Sequence, residues 1–108
     1  MNASSKIQIA VPPEPPVLSV GGAQVDGLQL QWSSKMNGGS AIMGYVVNYK
    51  RDYGDWEELQ IESNVESHLL RGLWCGTHYQ LYVTAYNRIG TGLPSDIVSS
   101  TTKGSSNS

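Results

Sequence analysis

The stretch YQLYVTAY, Tyr79 to Tyr86, alternates without a break: Tyr79, Leu81, Val83 and Ala85 fall on one side, and Gln80, Tyr82, Thr84 and Tyr86 on the other. A period of two belongs to a β-strand with one face turned into a core, because successive side chains of a strand point to opposite faces of its sheet. The same rhythm recurs in shorter runs upstream. Tyr45, Val47 and Tyr49 alternate with Val46, Asn48 and Lys50, and Leu28, Leu30 and Trp32 share one face of a segment opened by the turn pair Asp26-Gly27. Trp56 to Glu62 reads as an edge strand, with Leu59 and Ile61 inward and Glu58 and Gln60 in water, and His68, Leu70 and Leu73 lead back to Tyr79.

Turn chemistry separates these runs. Asn37-Gly38-Gly39-Ser40 and Asp52-Tyr53-Gly54-Asp55 are loops built from residues that tolerate positive φ, and Arg88 to Pro94 forms a glycine-rich hairpin in which Gly90 and Gly92 are expected to supply such φ values. A first strand around Val17 to Val20 and a last one near Ile97 to Thr102 bring the number to seven. Seven short strands predict an all-β fold, a two-sheet antiparallel sandwich of the immunoglobulin-like kind. Trp32, Tyr45, Val47, Leu73, Tyr79, Leu81 and Val83 are its expected structural core.

A chain of 108 residues makes one domain, and its aromatic bulk is three Trp and six Tyr with no Phe. The net charge of −2 supplies no field for a phosphate backbone or an anionic bilayer, so neither nucleic acid nor direct membrane contact by this domain is expected. No run approaches the ~18 apolar residues of a membrane span, and the first eleven residues lack the pattern of a secretory signal. Met1 reads as the start of an excised fragment. The sequon Asn2-Ala3-Ser4 beside it carries little weight.

Val11 to Pro16, VPPEPP, has four prolines that hold an extended path, so it reads as a stiff connector. Residues 1–14 are accordingly a tail and linker, 15–103 the folded domain, and 104–108 a flexible polar tail.

Cys75, the only cysteine, stands three places before His78. A structural zinc site needs about four ligands and a catalytic pair needs an orienting third group, and neither is near in sequence. No cofactor, metal or catalytic residue is assigned, and the chain is read as a non-enzyme. Cys75 cannot close a disulfide within the chain; it is either free or paired between chains. Asp52, Asp55, Glu57, Glu58, Glu62 and Glu66 crowd a segment without Lys or Arg, which reads as a charged edge that keeps sheets from joining rather than as a calcium loop. Tyr82 and Tyr86, on the outer face beside Val46, are either cross-strand support or a protein contact. Trp74 is a second contact candidate, for packing on a following domain.

Over nearly its whole length, from Pro15-Pro16 to Thr102, the chain resembles the fibronectin type III domain. The matching features are the proline-led first strand, Leu28-x-Leu30-x-Trp32, Gly44-Tyr45-x-Val47-x-Tyr49 followed by Trp56, and the run from Leu73 through Gly76, Thr77, Tyr79, Val83, Ala85, Asn87, Gly90 and Gly92 to Pro94-Ser95. The resemblance implies a tyrosine corner at Tyr79, with the ring inside and the hydroxyl bonded to backbone a few residues upstream. His68 departs from it, standing where a larger aromatic or an aliphatic is usual, so looser packing is expected there. No Arg-Gly-Asp is present.

Within the family, CGTHYQLYVTAYNRIGTGLPSDIV is most similar to the Down syndrome cell adhesion molecule family. Lys6 to Pro13, with Ile7, Ile9 and Val11 alternating, looks like the last strand of a preceding immunoglobulin-like domain. The resemblance implies a non-catalytic spacer and protein-interaction module in the extracellular part of a neuronal, single-pass plasma membrane adhesion receptor. Its partner would be a protein, either homophilic or a neighbouring domain of the same receptor, with the loops at Asn37 to Ser40 and Gly90 to Leu93 facing the preceding domain. A fibronectin-like module of an intracellular scaffold or muscle protein, or an accessory domain of an enzyme, remain open alternatives.

Overall fold

The computed structural model describes residues 9–104. The sequon at Asn2, the Lys6 to Gln8 part of the proposed upstream strand and residues 105–108 lie outside the described residues. Ile9 and Val11, which are described, are exposed and belong to no strand.

Among the described residues there are seven strands and no helix: β1 (Val17–Ala23), β2 (Leu28–Ser33), β3 (Gly44–Arg51), β4 (Glu57–Glu62), β5 (Ser67–Leu70), β6 (His78–Tyr86) and β7 (Val98–Thr101). They form two antiparallel sheets in the orders β1-β2-β5 and β4-β3-β6-β7. β6 lies inside the larger sheet and pairs with β3 from Tyr86 opposite Gly44 to Tyr79 opposite Arg51. That register puts Tyr45, Val47 and Tyr49 on the same side as Ala85, Val83 and Leu81.

The core is the space between the sheets. Leu28, Leu30, Leu81, Val47 and Val83 are fully buried there, and Trp32 packs its ring on Tyr45 with centroids 5.7 Å apart. Leu73 and Tyr79 close the core at one end, and Ile61 contributes from the β4 edge while Leu59 packs against the core only in part. The Tyr45 hydroxyl reaches Ser34 Oγ. The Trp32 indole N–H, by contrast, is buried with no hydrogen-bond partner among the described residues.

Three local expectations change. β1 does not stop at Val20 but runs to Ala23 through a register shift between Val20 and Gly22. The glycine pair that looks like a terminator is a bulge, which inserts a residue without ending the pairing. At the other end β7 begins at Val98, and Ile97 is exposed. Ser95 interrupts the ladder there: its N–H donates to the Val83 carbonyl while its Oγ accepts from the Val83 N–H.

The third change concerns the hairpin after β6, where neither Gly90 nor Gly92 adopts positive φ. Gly92 is needed for close approach instead, because a Cβ at that position would collide with the carbonyl of Pro13. His68 sits half-buried on β5 opposite Leu30, beside an open depression that Tyr49, Leu59 and Leu69 also line.

Replacing Trp32 by alanine should cost about 3–5 kcal/mol in urea denaturation, since a cavity opens between the sheets. Trp32→Phe should cost under about half as much, because its indole N–H has no bond to lose. Equal losses for the two variants would show that the N–H, not the ring volume, matters.

Candidate functional site

The candidate residues lie on the outer sheet face and at the two poles of the sandwich. On the outer face the β3–β6 register places Tyr82 opposite Asn48, Thr84 opposite Val46 and Tyr86 opposite Gly44. Trp56, just ahead of β4, turns its ring edge-on to Tyr82 with centroids 5.0 Å apart, and Lys50 Nζ lies 5.5 Å from the Trp56 centroid. These groups cover Asn48, which is buried although it faces outward. Tyr86 lies over Gly44 so closely that a Cβ there would meet its ring and hydroxyl. Tyr82, Tyr86 and Val46 are all half-buried, and their contacts are with their own sheet.

Trp74 does not join them. It stands at the pole where β6 begins, 60% exposed, with the Arg51 guanidinium stacked 3.9 Å from the ring centroid. Its backbone is pinned on both sides: the N–H donates to the Tyr79 hydroxyl at 2.9 Å, and the carbonyl accepts from Thr102 Oγ1 at 2.5 Å. The Gly76 N–H, on a residue at φ +57, donates to the Lys103 carbonyl at 2.7 Å. The outgoing chain is thus stapled to the same corner that holds Trp74.

Cys75 and His78 flank this corner without acting together. Cys75 is exposed and free, whereas His78 Nδ1 lies 3.0 Å from Asp52 Oδ1, both side chains being more than two-fifths exposed. Among the described residues no three His, Cys, Asp or Glu side chains gather closely enough to hold a metal ion. Glu57, Glu58 and Glu62 line the exposed edge strand β4, and Asp52, Asp55 and Glu66 are exposed on the adjoining loops.

At the opposite pole the proline segment is bonded to the loops. The Val11 N–H donates to the Gly38 carbonyl at 2.8 Å and the Glu14 N–H to the Met36 carbonyl at 3.1 Å. Asn87, buried, completes the arrangement: its Nδ2 donates to the carbonyls of Val11 and Asn37, and its Oδ1 accepts from the N–H groups of Ile89 and Gly90. That satisfies both donors and both acceptor sites of one side chain. Gly38, at φ +83, leaves room for the Val11 carbonyl, and Pro13 is buried beneath the chain at Gly92.

Sequence reasoning missed three of these features. Asn87 stands one residue past the long alternation, and that position gives no hint of its partners at Val11 and Asn37. The Arg51–Trp74 stack and the Asp52–His78 pair join residues far apart in the chain, and only the β3–β6 register brings them together.

A family model described as "Fibronectin type III domain" matches residues 12–101. Among curated proteins, "Cell adhesion molecule Dscam2" of Drosophila melanogaster is 37% identical over 98 residues, covering 91% of this chain and 5% of that protein. "Cell adhesion molecule DSCAM" of Homo sapiens is 36% identical over 99 residues, with the same two coverages. The chain therefore spans about a twentieth of the length of these relatives. Among solved structures, domains A168–A170 of titin superpose with a TM-score of 0.77 at 28% identity, over 87% of this chain and 33% of that one.

Two measurements follow from the geometry of the poles. Asn87→Ala should destabilise the domain by about 2–3 kcal/mol and accelerate amide exchange at Val11 and Glu14, which native-state exchange would read residue by residue. The second concerns Tyr49, whose phenol is held above its ordinary value of 10.0 by burial first, then by the Glu57 carboxylate and by Tyr79. The unfolded chain then ionises Tyr49 before the folded chain does. Stability is whole below about pH 10 and falls as pH rises through the folded value. Tyr49→Phe should flatten that fall in urea midpoints measured across the same range.

Proposed function

The chain belongs to the fibronectin type III family, and from that premise we propose that it is a non-catalytic spacer and protein-interaction module in the extracellular part of a neuronal cell adhesion receptor. The parent would cross the plasma membrane once, at a site outside this chain. Residues 1–14 would carry the end of a preceding immunoglobulin-like domain and its linker, 15–103 the module itself, and 104–108 a flexible continuation. Similarity to the Dscam2 and DSCAM cell adhesion molecules supports this reading.

The observation that carries the mechanism is the fixing of the chain at both poles. Asn87 and the Gly38 and Met36 carbonyls hold the incoming segment, and the Tyr79 corner holds the outgoing one. A sandwich fixed at its entrance and exit transmits the orientation of one neighbour to the next. The partner is a protein, either neighbouring domains or an identical receptor. Trp74 suits such a contact at the outgoing pole, exposed and with its backbone already immobilised, since Trp and Arg are enriched where binding energy concentrates. Tyr82, Tyr86 and Val46 would contribute a second contact on the outer face, with Trp56 packed on Tyr82 at one end of it. Charged substitutions at Tyr82 would also uncover Asn48, so their effect on binding has to be read beside a stability measurement.

A second reading, a module of an intracellular muscle or scaffold protein, is favoured by the likeness to titin. Cys75 separates the two. In the full-length protein expressed in cells, a membrane-impermeant maleimide should label the peptide that contains Cys75 on intact cells, directly or after mild reduction if the thiol pairs between chains, and a Cys75→Ser control should lose the label on that peptide. Labelling only after permeabilisation would overturn the receptor reading in favour of the scaffold.

A further inference from the structure

Tyr53 is at odds with its position. It is the third residue of a turn closed by the Gly54 N–H donating to the Arg51 carbonyl at 2.9 Å, and its φ of 65 makes it the one non-glycine residue with positive φ among those described. A turn of this type calls for glycine or asparagine at that place, and a tyrosine there holds its backbone in a region L side chains disfavour. Nothing inside the domain compensates, because the side chain is completely exposed, at 103% of its reference area.

The rest of the turn is anchored on two sides. Arg51 stacks on Trp74, Asp52 pairs with His78 through its side chain, and the Asp52 N–H also donates to the His78 carbonyl at 3.1 Å. The turn is therefore held in place, and it carries one strained, exposed tyrosine two residues after the arginine that stacks on the exposed Trp74. Between hairpin and corner lies a cleft of about 260 Å³ lined by Tyr49, Arg51, Asp55, Glu57, Gly72 and Trp74, with groups of both charge signs at its walls.

We propose that Tyr53 and Trp74 together form the seat of the module that follows in the same polypeptide, with the strained turn setting the angle at which that module docks. The inference rests on the spacer reading above. The occupant is assigned by where the chain leaves the sandwich: Lys103 and Thr102 are bonded to Gly76 and Trp74, so whatever continues the chain emerges beside the Trp74 ring, at the pole that the Arg51–Gly54 turn shares through the Arg51 stack. The chain covers about 5% of its curated relatives, which leaves ample polypeptide for such a neighbour. Two aromatics held by fixed backbone lose little freedom on docking, which favours them over flexible side chains at a joint. A strained residue that contributes no contact to its own domain is the kind of outlier from which function is inferred.

The test uses a fragment that starts with this chain and continues through the next module of the parent polypeptide, alongside this chain alone. Tyr53→Gly removes the strain. In the chain alone it should raise the melting temperature by about 2–5 °C. In the longer fragment it should do the opposite at the joint: amide protection at Trp74 to Thr77 should fall about tenfold, and scattering should show a broader distribution of intermodule angles. A lower melting temperature for the chain alone, or an unchanged joint, overturns the proposal.

Trp74→Ala distinguishes the levels of failure. A joint that loosens with Trp74→Ala but not with Tyr53→Gly sinks this inference and leaves the spacer reading standing. A joint indifferent to both variants removes the spacer reading at this pole as well. If Tyr53→Gly spares the joint yet weakens binding between receptor-bearing cells, the occupant is a separate protein and the assignment to the following module is wrong.

Discussion

The bond from the Trp74 N–H to the Tyr79 hydroxyl is the constraint on which most of this domain's exterior depends. Burial of the Tyr79 ring is ordinary hydrophobic chemistry, but its hydroxyl must find a partner at the edge of the core, and the backbone of residue 74 supplies it. That choice fixes the corner before β6. With the corner fixed, Trp74 is held outward within reach of Arg51, and its carbonyl is placed for Thr102. One phenol thereby links the core between the sheets to the exposed pole and to the path of the outgoing chain.

The fold was legible in the sequence because its main signal is local. The alternation from Tyr79 to Tyr86 gives both the strand and its faces, and the turn residues between the shorter runs give the strand count. What alternation cannot carry is conformation at glycines. The Gly21-Gly22 pair is a bulge rather than an end, and Gly92 serves the approach of Pro13 rather than a left-handed turn. Both depend on a partner strand or segment distant in sequence. The candidate surface divides in the same way. That Tyr82 and Tyr86 share a face follows from periodicity, but that Trp56 and Gly44 take up their rings follows only from register.

The two poles are built on different chemistry. The incoming pole is held by a polar hub, Asn87, with all its hydrogen-bonding capacity used, and by two glycines that admit backbone carbonyls where a side chain would stand. The outgoing pole is held by backbone bonds around one phenol and decorated with aromatic and guanidinium groups. Between them lies a sheet whose exposed edge strand β4 carries Glu57, Glu58 and Glu62, charges that discourage sheet-to-sheet pairing between copies.

The hydrogen bonds of Val11 and Glu14 bear on how the domain carries load. When tension is applied through its two ends, the force on the upstream side meets the Val11–Gly38 and Glu14–Met36 bonds and the Asn87 hub before it reaches β1. These few bonds act as a fuse. Standing in series ahead of the β1–β2 ladder, they are loaded first from that end and can break and re-form while the strands of the sandwich stay paired.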